Sequence, residues 1–140
     1  MDRKGDASMT MDFVKDRPIY LQLVESICGD VIKGQLKPGD KLPSVREYAI
    51  ETGVNVNTVQ RVYKELETMN VLETKRGQGS FITTNTEAIH ELREQMKEQV
   101  ALQFMTSIES FGFTLDEIIA VLMKKGGRWR ESDRVIVSLW

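Results

Sequence analysis

Within ten residues the chain gathers Asn55, Asn57, Thr58, Gln60, Arg61 and Lys64. These side chains suit nucleic-acid base edges. An amide pairs bidentately with adenine, an arginine with guanine, and a basic group also with phosphate. Val59, Val62, Tyr63 and Leu66 recur among them at i, i+3, i+4 and i+7. That period predicts a helix that buries one stripe and turns Asn57, Gln60, Arg61 and Lys64 outward. Any one of these polar residues, taken singly, reads more simply as a solvated helix face. Glu65 and Glu67 come late in the segment, where they would stand away from phosphates. Two further groups of residues point the same way. Ser44 and Arg46 open a preceding helix, whose free amides and positive dipole suit a phosphate; Arg46 adds a charge-assisted bond. Gly77 and Gly79 mark a turn where backbone can approach a duplex closely. Lys75, Arg76 and Gln78 flank that turn and reach phosphate or minor groove. No helix opens directly after it, so it does not fit a nucleotide-cradling loop.

The elements that must position these groups follow from patterning. A first helix is predicted over residues 17–33, capped by Asp16, with Pro18 in its first turn. Its stripe is Tyr20, Leu23, Val24, Ile27 and Val31, and Gly34 follows the last turn. A Pro38-Gly39 turn comes next, with Leu42 dropping into the core. Ser44-Val45-Arg46-Glu47 is a capping box that starts a short second helix burying Val45, Tyr48 and Ala49 and ending at Gly53. The polar-faced third helix spans residues 55–69. Residues 71–75 and 80–84 are β-prone runs around a glycine turn, hence a hairpin. Two short helices joined by a tight glycine turn make a helix-turn-helix, and the hairpin behind it is its wing.

A long fourth helix is expected from Thr86 to about Phe111, with Ile89, Leu92, Met96, Val100, Phe104 and Ile108 at spacings of three and four. Gly112 interrupts it. A second capping box, Thr114-Leu115-Asp116-Glu117, opens a fifth helix with Leu115, Ile118, Ile119 and Leu122 on one face. Lys124 and Lys125 suit its C-terminal dipole, and Gly126-Gly127 ends it. These apolar stripes need a cover, and a second copy of the chain supplies one. Folding back onto the winged helix is the alternative. Residues 1–15 read as a disordered lead-in. The tail over residues 128–140, with its Val135-Ile136-Val137 run, is an edge strand, a partner contact or an appended sequence.

Composition bounds the rest. The chain has 140 residues, 41% hydrophobic and 29% charged, with a net charge of −2. Residues 16–83 carry nine basic and nine acidic groups, and residues 84–140 seven and nine. DNA binding must therefore rest on where charges point, not on their sum. No apolar run reaches the ~18 residues of a membrane span, and no secretory signal is visible. The single cysteine, Cys28, lies in an apolar helical pattern and reads as buried and structural. The single histidine, His90, has no second ligand nearby, so no metal, cofactor or catalytic pairing is expected. Together these features fit a cytoplasmic protein that is not an enzyme.

The chain resembles the GntR family of bacterial regulators, and within it the short YtrA-like branch. The likeness runs through Arg17-Pro18-Ile19-Tyr20, residues 36–47, residues 57–67 and Arg76-Gly77-Gln78-Gly79-Ser80-Phe81. It covers about residues 16–84. The resemblance implies a winged helix that binds a palindromic operator as a dimer. It implies DNA contacts from Ser44, Arg46, Asn55, Asn57, Thr58, Gln60, Arg61 and Gly77. Val56 stands where many relatives carry Arg or Pro, Val62 where alanine is usual and Tyr48 where leucine is usual. The first departure bears on the operator sequence more than on activity. The branch uses a C-terminal helix pair to dimerise.

The expected architecture is therefore mainly α within an α+β class: a winged helix-turn-helix over residues 16–84, then a two-helix dimerisation element over residues 85–127. The expected function is a DNA-binding transcription regulator, a repressor acting as a homodimer on double-stranded DNA. Two rivals remain: a winged helix used for protein–protein contact, which the neutral charge sum leaves open, and a switch with a small-molecule effector between the last two helices, near Met96, Phe104 and Met105.

Overall fold

The computed structural model describes residues 17–126. The elements run α1 (Ile19–Lys33), α2 (Val45–Thr52), α3 (Val56–Thr68), β1 (Leu72–Lys75), β2 (Gly79–Ile82), α4 (Thr86–Ser110) and α5 (Leu115–Lys125). The expected lead-in, the Asp16 cap and the tail lie outside the described residues. Helix α1 begins two residues later than its periodicity suggests. Pro18 sits at φ −57, ψ 137 and is the N-cap, without a side-chain cap bond. The reason is local: a residue before proline is pushed out of the α region, and Pro18 itself is extended here. Arg17 instead pairs with Glu25 at 2.7 Å, and the Gln22 amide donates to the Arg17 carbonyl at 2.9 Å.

Helices α1, α2 and α3 pack around one core, with α3 against both of the others and against β1. Leu23, Ile27, Cys28, Val59, Val62, Leu66, Val71 and Ile82 are almost wholly buried. The capping boxes fold as the sequence predicts. Ser44 Oγ accepts the Glu47 N–H at 3.1 Å while Glu47 Oε1 accepts the Ser44 N–H at 2.9 Å. Thr114 and Glu117 do the same at the head of α5. Gly34 and Gly53, both left-handed, end α1 and α2.

The wing is an antiparallel hairpin with Leu72 opposite Ile82 and Lys75 opposite Gly79. A third segment joins it: Lys41 forms a bridge with Phe81, and the Leu42 N–H donates to the Ser80 carbonyl at 2.9 Å. The loop ahead of α2 is thus bonded to the wing. At the base of the wing Thr83 is buried. Its hydroxyl donates to Glu73 at 2.8 Å and accepts the Asn85 N–H at 3.0 Å. Asn85 in turn caps α4, its Oδ1 accepting the Glu87 N–H at 3.0 Å.

The chain divides into two compact units after Gln95. The first holds the winged helix and the opening turns of α4. The second holds the remainder of α4 and α5.

Candidate nucleic-acid interface

Helix α3 presents the polar face that its sequence predicts. Val59, Val62, Tyr63 and Leu66 are buried; Asn57, Gln60, Arg61 and Lys64 are exposed, and Thr58 is half-buried. Asn55 plays a more structural part than its resemblance implies. It is the N-cap of α3, and its Oδ1 accepts the Asn57 N–H at 2.7 Å. Its Nδ2 donors and the second lone pair of Oδ1 remain for a base, and the donors for a phosphate.

Two tyrosines fix α3 against the start of α2. The Tyr63 hydroxyl donates to the Pro43 carbonyl at 2.7 Å, and the Tyr48 and Tyr63 rings meet in a tilted pair 5.9 Å apart. Burial pushes the Tyr63 phenol up, and raises the Tyr48 phenol to about 12 with further help from the charges of Asp30 and Glu51. Both rings are therefore neutral spacers at neutral pH. They hold the Ser44–Arg46 turn beside α3. Within that turn the capping box engages the N–H groups of Ser44 and Glu47, so a phosphate there would meet Val45, Arg46 and the exposed Arg46 guanidinium.

At the wing tip Lys75, Arg76, Gly77 and Gln78 are all exposed. The Gln78 N–H closes the turn on the Lys75 carbonyl at 2.8 Å, and Gly77 takes φ +75. The Lys75 ammonium lies 4.8 Å from the Phe81 ring centre. The sequence reading missed Lys41. Gly79 has φ +122, and a side chain there would come within 2.8 Å of Lys41 Cε. The exposed lysine thus lies across the strand that ends the turn and adds a third basic group to the wing, beside Lys75 and Arg76. A single bridge leaves no alternation in the sequence to read.

The apolar residues expected on α4 and α5 divide in two. Leu92 and Ile108 are buried within the single chain, and Ile89, Met96 and Ile118 are half-buried. Their area is covered without a partner, wholly or in part. Val100, Phe104, Leu115, Ile119 and Leu122 stay exposed, and α5 buries no residue fully. A cavity of about 330 Å³ lies between the α3–β1 turn, the foot of the wing and the start of α4, lined by Asn70, Glu73, Thr83 and Glu91 among others. Met96, Phe104 and Met105 are not part of its wall. Among the described residues no group of His, Cys, Asp or Glu is placed to hold a metal, and no helix is long and apolar enough to cross a membrane.

A capped helix pair with a polar second helix, a glycine-tipped wing and a trailing helix pair define a winged helix-turn-helix DNA-binding regulator. Residues 19–82 match the family described as bacterial regulatory proteins, gntR family. The chain is 42% identical over 111 residues to the HTH-type transcriptional regulator YhcF of Bacillus subtilis (strain 168), covering 79% of this chain and 92% of the relative. It is 42% identical over 89 residues to the HTH-type transcriptional repressor YtrA of the same organism, covering 59% and 68%. A solved GntR family transcriptional regulator from Listeria monocytogenes superposes with TM-score 0.72 at 36% identity, over 80% of this chain and 98% of that one. The chain belongs to the GntR family of transcriptional regulators, and it is a DNA-binding protein, not an enzyme.

Proposed function

We propose that the protein is a cytoplasmic repressor that binds a palindromic operator as a homodimer. The observation that carries this reading is the face of α3. It keeps Asn57, Gln60, Arg61 and Lys64 exposed on a helix whose opposite side is locked into the core. In helix-turn-helix proteins the second helix lies in the major groove with its N-terminal residues on base edges. Asn57, Gln60 and Arg61 read bases, Thr58 and Asn55 support them, and Lys64 contacts the backbone. Ser44 and Arg46 at the head of α2, and Lys41, Lys75, Arg76, Gly77 and Gln78 at the wing, hold phosphates. The dimer forms through the exposed apolar residues of α4 and α5. Repression is supported by the likeness to YtrA, which is named a repressor.

The test is selection of duplexes from a random pool by the purified full chain, followed by sequencing. Enrichment of an inverted repeat, with half-sites about one helical turn apart or a small multiple of that, is expected. A pool that returns a single unrepeated half-site overturns the dimer reading. A pool that returns nothing at any salt concentration overturns the base-reading role of α3.

A further inference from the structure

Among the residues on the exposed side of α3 one does not match its neighbours. Val56 is the first residue of the helix, and 42% of it is exposed. It stands at the edge of the stripe that Val59, Val62, Tyr63 and Leu66 bury, partly covered and partly open. It is flanked by the exposed amides Asn55 and Asn57, and Gln60 follows one turn later on the same side. A β-branched apolar side chain is a poor choice for the first turn of a solvated helix, and it offers a phosphate nothing.

We propose that Val56 reads the 5-methyl group of a thymine in the major groove. This rests on the assignment of the first turn of α3 to base reading. The thymine methyl is the one apolar feature that a base pair shows on its major-groove edge. The amides beside Val56 strengthen the match. Asn57 and Gln60 carry the donor–acceptor pair that adenine's N6 and N7 require. The thymine opposite that adenine, or one on the next step, presents its methyl on the same groove floor. Amide and valine together therefore select an A·T step. Asn55 contributes rigidity, since its cap on the Asn57 N–H fixes the backbone on both sides of Val56. Docking removes exposed valine surface and the methyl from water together, and burial of one such group corresponds to roughly fourfold in affinity.

The experiment starts from the enriched operator. Each thymine is replaced in turn by deoxyuridine, which deletes only the methyl. Dissociation constants are measured by fluorescence anisotropy for the native chain, Val56→Ala and Val56→Thr. Circular dichroism and melting confirm that both variants keep the native fold, as expected for an exposed position. At one thymine per half-site, uracil should weaken native binding roughly fourfold and leave Val56→Ala unaffected. Val56→Thr, which keeps one methyl, should fall between. Uracil penalties identical in native protein and Val56→Ala at every position overturn the inference while operator binding stands. Failure to enrich any duplex removes the base-reading assignment itself, and the inference with it.

Discussion

The guanidinium carbon of Arg61 lies 3.6 Å above the centre of the Tyr20 ring. An arginine on the outer face of α3 is thereby stacked on a residue of α1, forty-one positions earlier in the chain. Sequence periodicity assigns Tyr20 to the core stripe and leaves Arg61 free in solvent. The structure gives them to each other. Tyr20 is half-buried, and its exposed face is the platform on which the guanidinium rests. An arginine held flat on a ring loses less freedom on meeting guanine or phosphate than one that must be ordered on binding.

Replacing Arg61 by alanine should weaken operator binding by roughly 5- to 150-fold, the range of one good base contact. Its effect on stability should be no more than about 1 kcal/mol, the worth of an exposed cation–π pair. Tyr20→Phe keeps the ring and should bind nearly as the native chain does. Tyr20→Leu keeps the bulk but removes the platform, and should raise the Kd while leaving the melting temperature within a few degrees. Equal affinity for Tyr20→Leu and Tyr20→Phe would show that the stack does not prepare Arg61 for DNA.

Lys41 should act on DNA without regard to sequence. A lysine that contacts one phosphate contributes about 0.9 to the slope of log K against log salt concentration. Lys41→Gln should therefore lower that slope by roughly 1 per half-site and weaken cognate and scrambled duplexes alike. A titration over several salt concentrations decides it. An unchanged slope would confine Lys41 to covering the Gly79 backbone.

Much of this molecule was legible in its residues, and the parts that were not share a cause. Both capping boxes, the glycine stops at Gly34 and Gly53 and the buried stripe of α3 are local signals, set by contacts within about four residues. The bridge from Lys41 to Phe81, the Arg61–Tyr20 stack and the Thr83 hydroxyl between Glu73 and Asn85 join residues distant in sequence. No period announces them. The cap role of Asn55 was legible in principle, since asparagine ahead of a helix is a standard cap. Its place in a run of DNA-type residues gave it a DNA contact and hid this second role.

Two glycines should respond to alanine in opposite directions. Gly29 lies inside α1, and a β-carbon there would meet nothing within 4 Å. Gly29→Ala should stabilise the fold by roughly 0.5–1 kcal/mol, because alanine loses less backbone freedom in a helix. Gly79 has φ +122 and Lys41 Cε close against it, so Gly79→Ala should destabilise and loosen the wing. Urea unfolding of both variants measures the sign directly.

Cys28 has no exposed surface, and burial, aided by the charge of Glu25, raises its thiol to about 12. The unfolded thiol ionises near its ordinary value of 9.0. A proton-bound group favoured by the fold stabilises it fully below the unfolded value and loses that contribution as pH rises from about 9 to about 12. Folded protein should resist a maleimide at neutral pH, and labelling should track unfolding as urea is added. Rapid labelling of the native chain would contradict the burial of Cys28.

The second unit makes the sharpest demand. Helix α5 has eleven residues and buries none of them fully, while Leu115, Ile119, Val121 and Leu122 are each at least 42% exposed. An isolated helix of that length is marginal in water even with the capping box at its head. Val100, Phe104, Phe111 and Phe113 extend the same exposed apolar character into the preceding helix and turn. A stable α5 therefore requires a cover, and a second copy offers an identical apolar surface with two-fold closure. The native chain should sediment as a dimer at micromolar concentration. Ile119→Glu combined with Leu122→Glu should give a monomer whose helix content falls in the second unit but whose winged helix still melts cooperatively. That monomer should keep weak binding to a single half-site and lose most of its affinity for the palindrome, because the two half-sites no longer share one binding event. A native chain that sediments as a monomer, with α5 intact by hydrogen exchange, would mean that some other surface covers the helix.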